Sequence, residues 1–223
     1  IVPGLVGLEA GQSAFGDVYA WFRGLLAWPL EDAVRRARGA KAAALAKLAD
    51  ELRAGMLDRL AEEAAKVDPA ESTVIALDWL NGRRTPFADQ TLKGAIAGLT
   101  LGTTAPRVFR ALVEATAFGS RAIVEQFRKE RVKIGSVIAL GGIARRSPFV
   151  MQVTADVMGM PIRVAASEQT CALGAGMLAA VAAGIYPTVA EAQKKMGSGF
   201  DMTFTPDRKR AAVYDRLYKR YKA

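Results

Sequence analysis

The sequence predicts an α/β fold in which helices pack on a sheet. Short β-branched runs alternate along the chain with longer segments whose apolar residues recur at helical spacing, and glycine-containing turns separate the two. With 223 residues, 51% of them hydrophobic, the chain can bury the core of one large domain or two small ones. Alternation of strands and helices is typical of layered α/β domains.

Helices account for most of the predicted first third. Residues 10–28 carry apolar side chains at helical spacing, and Pro29 is expected to end this helix. Residues 31–67 are rich in alanine, arginine and glutamate, with leucine or methionine every three or four positions. This pattern predicts an amphipathic helical region, broken near Gly39 and Gly55.

The middle of the chain predicts a strand, a turn and a long helix. A β-branched run at 73–77 indicates the strand, and Asn81 followed by Gly82 is a strong turn signal. Apolar residues on related faces predict a helix over about 105–130.

The next part of the chain alternates more regularly. A buried strand is expected at 136–140, followed by two glycines and a helix over 147–158 with Gly159 as its C-cap. Residues 160–166 predict another strand.

A further helix follows, and helices close the chain. It is expected over 171–183, with Thr170 as its cap and Gly184 at its end. The small residues at 172–184 indicate close packing of that helix on the sheet rather than a phosphate-binding loop.

Composition excludes several classes of chemistry. The chain contains no histidine, and Cys171 is its single cysteine, so an intrachain disulfide, a cysteine-based zinc site and a histidine-assisted nucleophile are all excluded. No metal site is predicted. No apolar run is long enough to span a membrane and no targeting segment is visible, so we expect a cytoplasmic protein without a membrane partner.

The chain is basic, with 31 Lys and Arg against 22 Asp and Glu and a net charge of +9. The densest basic stretches, at 35–41 and 207–222, are interpreted as solvated helix faces. No nucleic-acid motif accompanies them, so nucleic acid is not expected as a partner. A stand-alone basic module that binds nucleic acid or another partner is the alternative from a different class.

A glycine turn is the main candidate for ligand binding. In "LGGIARRSPF", a strand leads into Gly141 and Gly142, and Ser147 with Pro148 begins a helix. Glycines let a ligand approach the backbone, and the amides of a helix start accept anionic groups. The layout suits a nucleotide, although two glycines after a strand are also common in plain tight turns.

Six stretches, in their order and spacing, together resemble the FGGY carbohydrate kinases. They are "GLEAGQSAFGDVYAWF" at 7–22, "ALDWLNGRRTP" at 76–86, "GAIAGLTLGT" at 94–103, "RALVEATAFGSRAIVEQF" at 110–127, "GGIARRSPFVMQVTADVMGMPIRV" at 141–164 and "SEQTCALGAGMLAAVAAGIY" at 167–186. The family members that phosphorylate L-ribulose are the nearest, and kinases of xylulose or another ketose or polyol are the alternative. Arg107 departs from the acidic, amide or histidine side chain that the family usually has there.

The resemblance implies an RNase H-like lobe of the actin and hexokinase type, with helices packed on a mixed sheet. Residues 1–223 would form the C-terminal, nucleotide-binding lobe of a two-lobed sugar kinase, and 31–67 a helical insertion within it. The chain begins without Met and reads as a piece of a longer protein. Expected partners are the N-terminal lobe, ATP with Mg²⁺, and a ketopentose. The sequence leaves open whether the protein forms a homodimer.

The family's catalytic base belongs to the N-terminal lobe, so no catalytic residue is expected in this chain. The resemblance implies nucleotide contacts at five positions, which are Gly16, Gly141, Gly142, Arg146 and Ser147. Gly16 also fits simple helix packing. Glu9 matches an acidic residue that faces the sugar hydroxyls. Asp17, Asp78 and Glu168 are not assigned as the base, because local capping, pairing and a helix start account for them.

Overall fold

The computed structural model describes residues 2–223, so Ile1, where the predicted lobe starts, lies outside the described residues. A 3-10 turn at Pro69–Glu71 accompanies the main elements. The helices and strands, numbered in chain order, are α1 (Gly16–Arg36), α2 (Ala40–Ala65), β1 (Ile75–Leu77), β2 (Ala95–Ala97), α3 (Ala105–Lys129), β3 (Val137–Ala139), α4 (Gly142–Arg146), α5 (Pro148–Met158), β4 (Ile162–Ala165), α6 (Thr170–Ala182), α7 (Val189–Met196), β5 (Phe200–Phe204) and α8 (Arg208–Lys222).

The strands form two small sheets. β1 and β2 pair antiparallel. In the second sheet β3 pairs parallel with β4, and β4 pairs antiparallel with β5, so this sheet is mixed. β3 lies at the edge of its sheet. Helices pack against the strands, as the alternation in the sequence predicts.

The long helix α3 is the centre of the main core. Its side chains Phe109, Leu112 and Phe118 are almost fully buried, and α3 contacts α1, α2, α5, β1 and α8. Burying one such side chain contributes about 1.5–3 kcal/mol. A second cluster joins α4 and α5 to the mixed sheet, with Met151 and Ile162 among its members.

Two predicted helix breaks do not occur. α1 continues through Pro29 to Arg36, and α2 continues through Gly55. An interior proline removes one backbone hydrogen bond and an interior glycine costs about 1 kcal/mol. Packing offsets both costs, since α1 and α2 lie against each other and α2 buries Leu60 and Ala64. The break near Gly39 is confirmed, because α2 begins directly after it.

The C-terminal third differs most from the prediction. The strand β5 was not predicted, and none of the α6 residues is buried, so the expected packing of its small residues on the sheet is wrong. α6 packs on α7 instead. Thr170 is the first residue of α6 rather than its cap, and its hydroxyl donates to the Ser167 carbonyl.

The basic helix α8 is amphipathic. Four large side chains face the core, namely Tyr214, Leu217, Tyr218 and Tyr221. Most of its lysines and arginines lie on the exposed face, in agreement with a solvated helix surface. In residues 2–223, no helix combines the length and apolar character that crossing a membrane requires.

Candidate nucleotide site

The glycine turn connects β3 to α4. Gly141 has φ of +91°, a conformation that side-chain-bearing residues rarely adopt, and Gly142 begins α4. Both glycines are exposed, and a Cβ atom added at either position would meet no other atom within 4 Å. The backbone of the turn is therefore open to a ligand.

Gly16 lies next to this turn. It is the half-buried first residue of α1, and a Cβ there would overlap the Cδ1 atom of Ile143, the residue that follows Gly142. The structure thus brings two separated stretches of the sequence together. The contact itself is helix packing, which was the alternative interpretation of Gly16, and the phosphate contact stays a prediction.

Ser147 and Arg146 end the short helix α4. The Ser147 hydroxyl accepts a 3.5 Å hydrogen bond from the Val150 amide and so caps α5. This places the start of α5 where the sequence predicts it, but it also engages the hydroxyl that was expected to contact the nucleotide. Arg146 is exposed, and within residues 2–223 its side chain makes no hydrogen bond or ion pair.

Arg145 holds the turn in place and was not predicted. Its Nη1 atom donates to the Ala166 carbonyl at 2.6 Å and pairs with the Asp201 carboxylate at 2.7 Å. A weaker pair joins it to Glu168, 3.8 Å away and largely exposed. These contacts tie α4 to the ends of β4 and β5. The sequence shows two adjacent arginines but not which of them faces the sheet.

An apolar cavity of about 550 Å³ lies beside the turn, between α3, α5 and β3. Gly142 and Ile143 form part of its wall, together with Val124 and Met158. Its described lining contains no charged side chain. The lining therefore offers no charged group to a triphosphate, and a nucleotide contact at the exposed side of the turn stays a prediction.

Glu9 lies in the extended segment before α1. Its side chain is exposed, and within the described part of the chain it makes no hydrogen bond or ion pair. The segment is held further along, where the Gly11 amide donates to Thr85 Oγ1 at 3.2 Å and Gln12 Nε2 donates to Asp78 Oδ2 at 2.6 Å. No described contact joins Glu9 to the turn, and its sugar contact stays a prediction.

Asp78 is a buried carboxylate rather than a simple loop start. It accepts hydrogen bonds from Gln12 and from the hydroxyl of Tyr221 at 2.7 Å. Burial raises the pKa of Asp78, and the two hydrogen bonds oppose that rise. Asp78 thus joins the segment before α1 to the C-terminal helix. Asp17 is exposed in the first turn of α1 and has no described partner there.

The described residues do not form a metal site. Within 2–223, no group of three or more Asp, Glu, Cys or His side chains is placed to hold an ion.

Comparison with known proteins shows the family to which this chain belongs. Residues 1–183 match the C-terminal domain of the FGGY family of carbohydrate kinases. A ribulokinase from Vibrio parahaemolyticus is 48% identical over 221 residues, and one from Halalkalibacterium halodurans is 43% identical over 227. Each alignment covers 99% of this chain but only 38% of the relative.

Solved structures agree with this family assignment. A xylulose kinase from Rhodospirillum rubrum superposes with a TM-score of 0.72 at 26% identity, covering 95% of this chain and 37% of that one. The architecture is a lobe of the actin and hexokinase type, which confirms the predicted fold class. The chain belongs to the FGGY family of carbohydrate kinases, and it corresponds to the C-terminal domain of that family.

Proposed function

We propose that this chain is the nucleotide-binding lobe of an ATP-dependent kinase that phosphorylates L-ribulose. The observation that carries the proposal is the similarity to ribulokinases along 99% of the chain. The convergence of Gly16 with the Gly141–Gly142 turn supports it, because family-matching stretches far apart in sequence lie side by side at an open backbone. With ATP as phosphoryl donor, we assign the reaction to the cytoplasm.

Positioning is the main contribution of this lobe to catalysis. Phosphoryl transfer depends mostly on alignment and charge stabilisation. The side-chain-free turn lets the nucleotide approach the backbone, and the exposed guanidinium of Arg146 is available to a polar or anionic group. Arg145 acts on the other side of α4, where its bonds to the sheet keep the turn rigid.

The remaining parts of the site belong to the rest of the protein in this proposal. The base that deprotonates the sugar hydroxyl would come from the other lobe, as would most sugar contacts. Mg²⁺ is expected to neutralise phosphate charge and to be held chiefly by the ATP phosphates, since residues 2–223 hold no cluster of three or more ligating side chains. Glu9 is the one residue of this chain proposed to face the sugar.

The exposed apolar edge beside the turn suits contact with that other part of the protein. Ile138 on the edge strand β3 is 47% exposed, and Leu140, which follows β3 and lines the apolar cavity, is 53% exposed. Apolar side chains at an unpaired strand edge are stabilised when another segment covers them.

The test is a kinase assay on the intact protein with L-ribulose, D-xylulose, D-ribulose and glycerol, each with Mg²⁺ and ATP. We expect the highest kcat/KM with L-ribulose. A higher value with D-xylulose would replace the proposed sugar but keep the class. ATP-independent, salt-sensitive binding to DNA without any sugar-dependent ADP release would overturn the kinase proposal.

A further inference from the structure

A second cavity, of about 420 Å³, lies where the loop after β1 meets the C-terminal ends of α3 and α8. It shares no lining residue with the turn at Gly141–Gly142. We propose that this cavity binds a small organic anion with a flat aromatic ring. We call it the aromatic-anion cavity and define it by Trp79, Arg83, Phe87, Lys129, Tyr218 and Tyr221. The proposal does not rest on the sugar kinase activity.

Arg83 is held by two rings. Its guanidinium carbon lies 5.0 Å from the ring centre of Trp79 and 5.5 Å from that of Phe87. Stacking of this kind engages the faces of a guanidinium and leaves the N–H groups at its edge free to donate. Within residues 2–223 the Arg83 side chain makes no hydrogen bond and no ion pair. The unused N–H groups of the Arg83 guanidinium are therefore placed to bind a carboxylate or phosphate group.

The surrounding charge also favours an anion. Three cations, Arg83, Lys129 and Lys222, are among the described lining residues, and Glu125 is the one carboxylate among them. Glu125 is already engaged, since it accepts from Arg121 Nε at 3.0 Å and from the Tyr218 hydroxyl at 2.9 Å. Lys222 also pairs with Glu125 at 3.7 Å, whereas Arg121 is shared with Asp215 at 2.7 Å. Arg83 and Lys129 have no carboxylate partner within residues 2–223, so they give the cavity an excess of positive charge.

The walls favour a flat ring on the ligand. Trp79 and Tyr221 meet edge to face with ring centres 6.2 Å apart, and Tyr218 stacks on Tyr221 at 6.0 Å. Phe87 is 70% exposed at the rim, so much of its ring surface is open to a ligand even though the ring also contacts Arg83. The cavity volume falls within the range of about 300–1,000 Å³ that is common for small-molecule sites. An aromatic anion would use both the rings and the free guanidinium.

The test uses phenyl phosphate as the probe, with inorganic phosphate and phenol as its two halves. Calorimetric titration of the intact protein should give saturable phenyl phosphate binding that is at least about tenfold tighter than either half, a difference of about 1.4 kcal/mol. Equal affinity for inorganic phosphate would refute the aromatic part of the proposal. Absence of saturable phenyl phosphate binding up to about 10 mM, near a free energy of −3 kcal/mol, would refute the site.

Two variants and one control locate the binding. Arg83→Met replaces the guanidinium with an apolar side chain of similar length and should weaken phenyl phosphate binding at least about tenfold. Lys129→Met, at the exposed end of α3, should weaken it about threefold and should not affect folding. Arg216→Met removes the same charge from the exposed face of α8 and should leave the affinity unchanged. Equal affinities in all three variants would overturn the assignment even if the probe binds.

Discussion

Removal of the carboxylate of Glu114 should destabilise the protein more than any surface substitution. Glu114 and Arg110 form an ion pair on α3 with Nε to Oε1 at 2.8 Å, and their side chains are only 4% and 3% exposed. Arg110 also donates to the Ala64 carbonyl at 2.8 Å and to the Tyr214 hydroxyl at 2.7 Å. The pair therefore joins α2, α3 and α8 inside the core.

The magnitude follows from the burial of the partner that remains. Glu114→Leu leaves a buried guanidinium without its carboxylate, which costs about 3–5 kcal/mol. Arg110→Met combined with Glu114→Leu removes both charges and should recover most of that loss. Urea unfolding of the single and double variants above pH 7, where the Glu114 carboxylate is ionised, measures both values. A loss below about 1 kcal/mol in the single variant, or no recovery in the double one, would refute this reasoning.

The same pair makes stability depend on pH. Burial, opposed by Arg110, raises the pKa of Glu114 from 4.5 to about 7. The folded state then holds a proton that the unfolded state has released, so this contribution is complete below pH 4.5 and is lost as the pH rises to about 7. Glu114→Gln should lack this slope. A wild-type free energy of unfolding that rises between pH 5 and 7, relative to the Gln variant, would contradict the sign.

Three further predictions concern the turn and the lobe. Gly16→Ala should lower ATP affinity by displacing Ile143, and adding Ile143→Ala should restore it if packing is the cause; a double variant as weak as the single one would indicate direct phosphate contact. Arg145→Met should lower the unfolding free energy by about 1–3 kcal/mol and raise the KM for ATP, because α4 loses its bonds to the sheet; an unchanged KM would show that Arg145 does not position the turn. Residues 1–223 expressed alone should unfold cooperatively yet release no sugar-dependent ADP, since positioning needs two lobes; turnover above background would mean that a base is present, with Asp17, Asp78 and Glu9 as candidates.

Much of the fold could be predicted from local pattern. α3, α5 and the left-handed cap at Gly159 match the prediction, because their apolar spacing and cap residues favour a helix with these ends over any other local structure. Pro29 and Gly55 misled the prediction because tertiary packing outweighs the local cost of a single residue. The residues of β5 carry no strand pattern that is visible in the sequence alone, and they form a strand because they pair with β4.

The candidate site likewise has features that the sequence shows and features that depend on tertiary packing. The Gly141–Gly142 turn is visible in the sequence because the positive φ at position 141 strongly favours glycine. Its approach to Gly16 depends on how α1 packs on α4, which no local pattern encodes. Arg145, which joins the turn to the sheet, and Asp78, which joins the segment before α1 to α8, both depend on partners far away in sequence, so no local pattern reveals their roles.

Nucleotide binding by a Gly142→Val variant tests the central claim most directly. A Cβ atom at Gly142 meets no other atom within 4 Å and Gly142 is exposed, so the fold should accept valine, and Gly135→Val at an equally open position is the matched control. Titration of the intact protein with Mg-ATP should show at least about a tenfold loss of affinity for Gly142→Val, near 1.4 kcal/mol, and none for the control. Wild-type ATP affinity in a folded Gly142→Val protein would contradict the assignment of this turn as the nucleotide site.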